Sequence, residues 1–295
     1  MASATATHGG HLAGLAKTNR TDKWWVGPLA TALGLGAFVI YSTFAGAIGN
    51  YYWFDGTVDN DGMQHQGYGG YLSPMYSPIL ISNAGKGPHY KGVAPVSHSW
   101  FNTNEWPSFW PEWIAPFTPA VLILIFPLSF RATCYYYRKA YYRAFFATPP
   151  GCAVGPLPQK KFNGETKLLI FQNLHRYAMY AALAFLVILA YDAYQGFWRD
   201  GRFGVGVGSL VLTVNVCLLS SYTFGCHSFR HLIGGRKNCF SCVGGPLALA
   251  SWKKASWFNK RHQLFAWCSL IWVGFTDLYV RLCSMGVIHD FSTWG

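Results

Sequence analysis

Five stretches of this chain, Gly27–Gly49, Trp113–Phe130, Arg176–Phe197, Phe203–Phe224 and Gln263–Val287, are apolar over about the length a helix needs to cross a bilayer. Such a helix takes roughly 20 predominantly apolar residues, and it must satisfy every backbone polar group internally because hydrocarbon offers no partners. Only 12% of the residues are charged, against about 25% in an ordinary soluble domain. The expected fold is therefore an all-α membrane protein. A five-helix transmembrane bundle occupies residues 27–295, preceded by a tail at residues 1–26. The first 22 residues are polar, so no secretory leader is expected.

The net charge of +12 raises the question of nucleic acid, but its distribution answers it. Lys17, Arg20 and Lys23 lie in the tail, seven basic residues run from Arg131 to Lys167, and seven more from Arg230 to Arg261. Those seventeen fall on one side of the spans, against four (Lys86, Lys91, Arg199, Arg202) on the other. This is the positive-inside asymmetry of a multi-pass protein of the cell membrane. It predicts a cytoplasmic N-terminus and an outside C-terminus, and no nucleic-acid partner. The long segment Asn50–Glu112 then faces outward. It is rich in Gly, Pro, Tyr and Trp, holds no cysteine, and reads as a cap packed by aromatic rings, with His65, His89 and His98 as surface or packing residues.

Cysteine and histidine are unevenly spread. Cys217, Cys268 and Cys283 sit among apolar neighbours within spans and read as small buried hydrophobes. The other five cysteines (Cys134, Cys152, Cys226, Cys239, Cys242) gather at or beyond the cytoplasmic ends, with His175, His227, His231 and His262. Structural disulfides are disfavoured in a reducing compartment, and thiolates gathered with imidazoles are what a redox metal site requires.

Local spacing narrows the candidates. If the fourth span continues past Phe224 as far as the glycines at Gly234 and Gly235, His227 and His231 stand at i and i+4 on one helical face. Cys226 and Arg230 then share a neighbouring face. Cys134 opens an amphipathic stretch, Tyr135–Phe146, and Cys152 follows the rigid turn Pro149-Pro150-Gly151. His175 and Arg176 stand at the start of the third span, where unsatisfied polar groups are expensive. Cys239-Phe-Ser-Cys242 is a lone C-x-x-C that, with Cys226 and His227, has the composition of a zinc knuckle. Asp192, Asp277 and Arg281 are ionisable residues at membrane depth, and Asp277 and Arg281, four apart, are expected to pair.

At these residues the chain resembles the membrane-anchor (cytochrome b-type) subunit of actinobacterial succinate dehydrogenase, respiratory complex II. The stretches that carry the resemblance are FRATCYYYRKAYYRAFF, PPGCAV, GETKLLIFQNLHRYAMY and GCHSFRHLIGG, between about Phe130 and Gly235. The resemblance implies a single-chain anchor in which a Rieske-type [2Fe–2S] cluster replaces haem b. It also implies a flavoprotein and an iron–sulfur subunit as partners, surrounding lipid, and a quinone (menaquinone or ubiquinone) as electron acceptor, with a higher oligomer possible. Succinate oxidation would belong to the partners, since this chain has no dinucleotide-binding fingerprint and offers only Asp22 and Glu165 as cytoplasmic acids.

A Rieske centre takes two thiolates on one iron and two neutral imidazoles on the other. The shared helical face favours His227 with His231. Cys226 then points roughly 100° away from His227, which leaves Cys134 and Cys152 as thiolates and Cys226 and His175 in reserve. Tyr135, Arg138, Arg176, Tyr177 and Arg230 are the nearby donors available to quinone carbonyls. Two readings compete: a haem b anchor pairing His175 with His227 or His231, and a structural anchor with no cofactor of its own. A transporter is disfavoured, since the chain shows no internal repeat.

Overall fold

The computed structural model describes residues 14–56, 70–106, 108, 118–158, 168–199, 201–234, 238–239 and 241–294. The chain is almost wholly helical there. Its elements are α1 (Val26–Ile48), β1 (Trp53–Phe54), β2 (Tyr71–Leu72), α2 (Pro119–Thr133), α3 (Tyr135–Ala144), α4 (Leu168–Gln195), β3 (Trp198–Arg199), β4 (Arg202–Phe203), α5 (Val207–Phe224), α6 (His227–Ile233), α7 (Gly245–Lys260) and α8 (His262–Ser284). Four helices are long and apolar enough to cross a membrane, or five if the broken pair α2–α3 counts as one span. Four of the expected spans overlap these long helices, and the second overlaps only α2 of the broken pair, with Trp113 and the start of that stretch outside the described residues. So do His65, Glu112, Glu165 and the basic residues Lys160, Lys161, Lys167, Arg236 and Lys237.

The surface is what a bilayer dictates. Ile40, Val187 and Ile271 expose 73%, 72% and 66% of their area, an arrangement that water would penalise at about 25 cal/mol per Å² and lipid does not. Cys217 belongs to that surface as well. The expectation that it is a buried residue is corrected: its side chain is exposed on α5. Cys268 is half-buried and Cys283 fully buried. Pro127 sits within α2, where membrane helices tolerate the lost N–H.

The chain divides into two compact units, residues 1–39 with 131–174, and residues 40–130 with 175–295. In the first, the N-terminal segment is stitched to the turn that carries Cys152. Ala16 N donates to Gly155 O (3.0 Å), Gly155 N to Lys17 O (2.8 Å), and Arg20 Nη1 to the carbonyl of Cys152 (2.9 Å). In the second, α5 packs on α8 and α6 on α7. One end is closed by the antiparallel pairs Trp53–Leu72 with Phe54–Tyr71 and Trp198–Phe203 with Arg199–Arg202. Tyr71, Phe54, Ala193, Leu212, Val280 and Cys283 form its core. Gly208 lets the Tyr71 ring lie directly on the first turn of α5, since a Cβ there would come within 2.2 Å of the ring.

The cap is polar where it meets the helices. Asp277, fully buried, accepts from Arg281 Nε at 2.8 Å, Tyr41 OH at 2.5 Å and Ser73 Oγ. Arg281 also donates to the carbonyls of Asn50 (2.6 Å) and Ala45 (2.7 Å), so the expected i, i+4 pair exists and ties the end of α1 to α8. Asp290 gathers Tyr71 OH, Tyr279 OH, Gly208 N and Arg199 Nη2 at 2.6, 2.8, 2.9 and 3.2 Å. His98 stacks obliquely on Trp53 with ring centroids 4.8 Å apart, a packing role as expected, and burial pushes its pKa down. His89 is exposed.

Candidate functional site

The fourth span ends earlier than its periodicity predicts. Gly225 N bonds back to Ser221 O at 3.1 Å, and Cys226 then leaves the helix with ψ 139°, so that α6 starts afresh at His227. The cause is crowding at Gly225. A Cβ there would lie 3.0 Å from His262 Nδ1, 3.0 Å from Ser221 O and 3.1 Å from Phe258 O. Asn259 Nδ2 fixes the Gly225 carbonyl at 2.7 Å, and Arg230 Nη1 donates in turn to Asn259 Oδ1 at 3.3 Å. This break carries Cys226 inward and His227 outward.

The result is a buried group of rings and one thiol in the second unit. Cys226 is 1% exposed, and its Sγ lies 3.0 Å from His175 Nε2. The His175 ring stacks on Phe130 (centroids 4.8 Å, planes 6° apart). Phe130 meets Tyr222 edge-on at 5.3 Å, and Tyr222 stacks on His262 at 4.8 Å, planes 8° apart. His262 is 3% exposed and is the first residue of α8. Two imidazoles from different helices and a thiol are thus held in one aromatic, water-poor cluster. His262 is the member that sequence reasoning grouped with the other histidines but did not carry into the ligand candidates. The signal that could have found it is the glycine before Cys226: a glycine at the end of an apolar run marks a close approach.

The residues favoured from sequence fall elsewhere. His227 and His231 keep their i, i+4 spacing on α6, but both are exposed. Cys152 is exposed in the first unit. Cys134 is buried there, at the N-terminus of α3, with φ −65° and ψ 135°, nearly the same backbone that Cys226 adopts at the start of α6 (φ −64°, ψ 139°). Of the reserves, Cys226 and His175 are the pair in contact. Cys239 and Cys242 are joined to each other as a disulfide, against the expectation that disulfides are disfavoured at this end, and a disulfide sulfur is no thiolate ligand for zinc. Among the described residues no three Cys, His, Asp or Glu side chains gather around one point as ligands of a single ion.

The quinone candidates also divide. Tyr135, Arg176 and Tyr177 are exposed. Arg138 is buried with its guanidinium 5.8 Å from the centroid of the Tyr135 ring. Arg230 lies over Trp252 at 4.8 Å besides its bond to Asn259, so it braces α6 against α7.

Fold and site together define a multi-pass membrane subunit with a buried imidazole–thiol cluster at the ends of its spans. A family model described as actinobacterial succinate dehydrogenase subunit SdhC matches residues 26–286, nearly the whole span-bearing chain. A solved structure titled "Mycobacterium smegmatis Sdh1 complex in the apo form" holds a similar chain, 41% identical, with 92% of each chain covered and a TM-score of 0.74. A comparison with curated protein sequences found no match. The chain belongs to the actinobacterial succinate dehydrogenase SdhC family. It is the membrane subunit of that enzyme complex, and the catalysis of succinate oxidation lies with its partner subunits.

Proposed function

We propose that this subunit carries electrons from the iron–sulfur subunit of the complex to a quinone, through a Rieske-type [2Fe–2S] cluster at the inner, cytoplasmic end of its spans. The observation that supports this most is the contact of Cys226 Sγ with His175 Nε2 inside a cluster that also holds His262. The donor chemistry fits: two buried imidazoles and a thiol, with one further thiolate needed. That second thiolate is assigned to Cys134 on its burial and on the sequence, which puts it four residues beyond Phe130 and repeats the backbone of Cys226. A binuclear cluster draws only two protein ligands per iron, so its ligands have no need to converge three to a point. When bound, such a cluster accepts one electron at a potential of about −150 to +300 mV, suited to a last carrier before quinone.

The chain's own residues do the rest. His175 and His262 are held in plane by Phe130 and Tyr222, which also exclude water from the imidazoles. Asn259 locks the Gly225 peptide and thereby the direction of the Cys226 side chain. The basic residues of the tail, of 131–167 and of 230–261 face the cytoplasm and the two soluble partners, the flavoprotein and the iron–sulfur subunit. Quinone is bound at the same end, with Tyr135, Arg138, Arg176 and Tyr177 as the available donors.

A haem b anchor is the second reading, favoured by the two buried histidines on different helices. It now pairs His175 with His262 rather than with His227 or His231, which are exposed. The rings of Phe130 and Tyr222 lie in the stack between those imidazoles, where a macrocycle would have to displace them. A cluster with both imidazoles on one iron must bring them past the same rings, so the preference rests on the Cys226–His175 contact, which haem would leave unused. The test is a Cys226→Ser complex, checked for intact assembly. Succinate oxidation by a soluble dye should persist and quinone reduction should fall severely. Full quinone reduction would refute the assignment.

A further inference from the structure

The Cys239–Cys242 disulfide lies outside this cluster and needs its own account. It closes a loop of only two intervening residues, the smallest gain in unfolded-state entropy that a disulfide of this kind can give. The helix that follows it is anchored by other means: Trp252 packs against Gly234 and Arg230, and Asn259 against Gly225. A structural staple is therefore a poor explanation.

The two sulfurs are also unlike. Cys242 is exposed, as are Ser241 and Val243 beside it, so its sulfur is open to attack. Cys239 is half-buried, and its Sγ accepts the N–H of Cys242 at 3.1 Å with Ser241 Oγ 3.5 Å away. Both sit just before α7, whose first turn is set by Gly245 N donating to Cys242 O at 2.7 Å. The Cys242 N–H and the Ser241 hydroxyl are donors placed to stabilise a thiolate on Cys239.

We propose that Cys239 and Cys242 form a redox-active dithiol–disulfide pair that exchanges with low-molecular-weight thiols at the inner membrane face, a placement that rests on the orientation given above. A small-molecule thiolate attacks Cys242 Sγ, the Cys239–Cys242 bond breaks, and its electron pair leaves on Cys239 Sγ, where the Cys242 N–H and Ser241 hydroxyl receive it. A second small thiol attacks the mixed disulfide and frees Cys242. Two small thiols are thereby oxidised to one disulfide, and the protein gains two thiols.

The test uses the complex in native membranes, equilibrated in mixtures of reduced and oxidised glutathione, acid-quenched and treated with N-ethylmaleimide. The peptide between Lys237 and Lys253 should pass from no label to two labels in one transition as the mixture becomes reducing. Two labels in the most oxidising mixture, or none in the most reducing, would overturn the proposal. In a Cys242→Ser complex, Cys239 should react with iodoacetamide at pH 7 several-fold faster than free cysteine. An equal or slower rate would overturn the leaving-group assignment. After reduction, a membrane-impermeant maleimide should label the pair in inside-out vesicles and not in intact cells. Labelling in intact cells alone would overturn both the inner-face placement and the small-thiol donor, while leaving the cluster assignment to its own test.

Discussion

Replacing Asp277 by Ala tests the polar joint between the segment that carries Ser73 and the helices α1 and α8. The carboxylate is fully buried and receives the Arg281 guanidinium, the Tyr41 hydroxyl and the Ser73 hydroxyl. Arg281 is itself 5% exposed, so removing its partner strands a buried cation that keeps the carbonyls of Asn50 and Ala45 and the face of the Tyr76 ring. Breaking a buried pair on one side costs about 3–5 kcal/mol, most of it the uncompensated charge. At about 2–4 °C per kcal/mol this corresponds to a fall in Tm of roughly 6–20 °C. The assay is thermal unfolding of the detergent-solubilised complex, read by tryptophan fluorescence because Trp53 lies in the affected cap. The double variant Asp277→Leu with Arg281→Met removes both charges, and it should recover part of the loss but not all, since Asn50 and Ala45 lose their donor. A single variant within about 2 °C of the parent Tm, or a double variant worse than the single, would refute the reasoning that the pair is held by mutual compensation.

Other outcomes follow from the same geometry. Gly225→Ala should leave the complex assembled but displace His262, since the new methyl sits 3.0 Å from its Nδ1 between two backbone carbonyls; an unchanged cluster EPR signal would contradict this. His231→Ala and Cys152→Ser, both at exposed positions, should leave that signal intact, whereas His262→Ala should abolish it; the reverse pattern would restore the ligand set read from helical periodicity. The cap should loosen in acid through His98, whose folded-state pKa lies below the ordinary 6.5 because of burial. Below about pH 6.5 the unfolded state binds a proton that the folded state resists, so the stability present at neutral pH is lost as pH falls toward the folded value. Trp53 fluorescence melts from pH 7.5 to 5 should show that slope, and a His98→Phe variant should flatten it.

Much of the fold was legible in hydropathy alone, because a bilayer leaves few alternatives to continuous apolar helices. The Asp277–Arg281 pair was legible for the same reason, as two charges one helical turn apart at membrane depth have little else to do. The candidate site was legible in inventory and not in arrangement. Helical periodicity was carried through Gly225 and Cys226, and one extended residue there was enough to rotate the following histidines to the surface. The helix end is decided by His262 and Phe258, far along the chain, and no local pattern reports them. One likeness is visible in the backbone and not in the sequence: Cys134 and Cys226 both adopt an extended conformation after an apolar helix and just before a short helix with basic residues. Cys217 shows the opposite error, an apolar neighbourhood in sequence that is exposed surface in space.

The central claim is tested most directly by measuring iron, acid-labile sulfide and haem in the purified complex together with its low-temperature EPR spectrum, for the parent and for Cys226→Ser. The account predicts two iron and two sulfide per complex above the content of the soluble subunits, a Rieske-type low-g signal that disappears in Cys226→Ser, and no stoichiometric haem. A stoichiometric b-type haem spectrum, with no iron or sulfide lost in the variant, would contradict it.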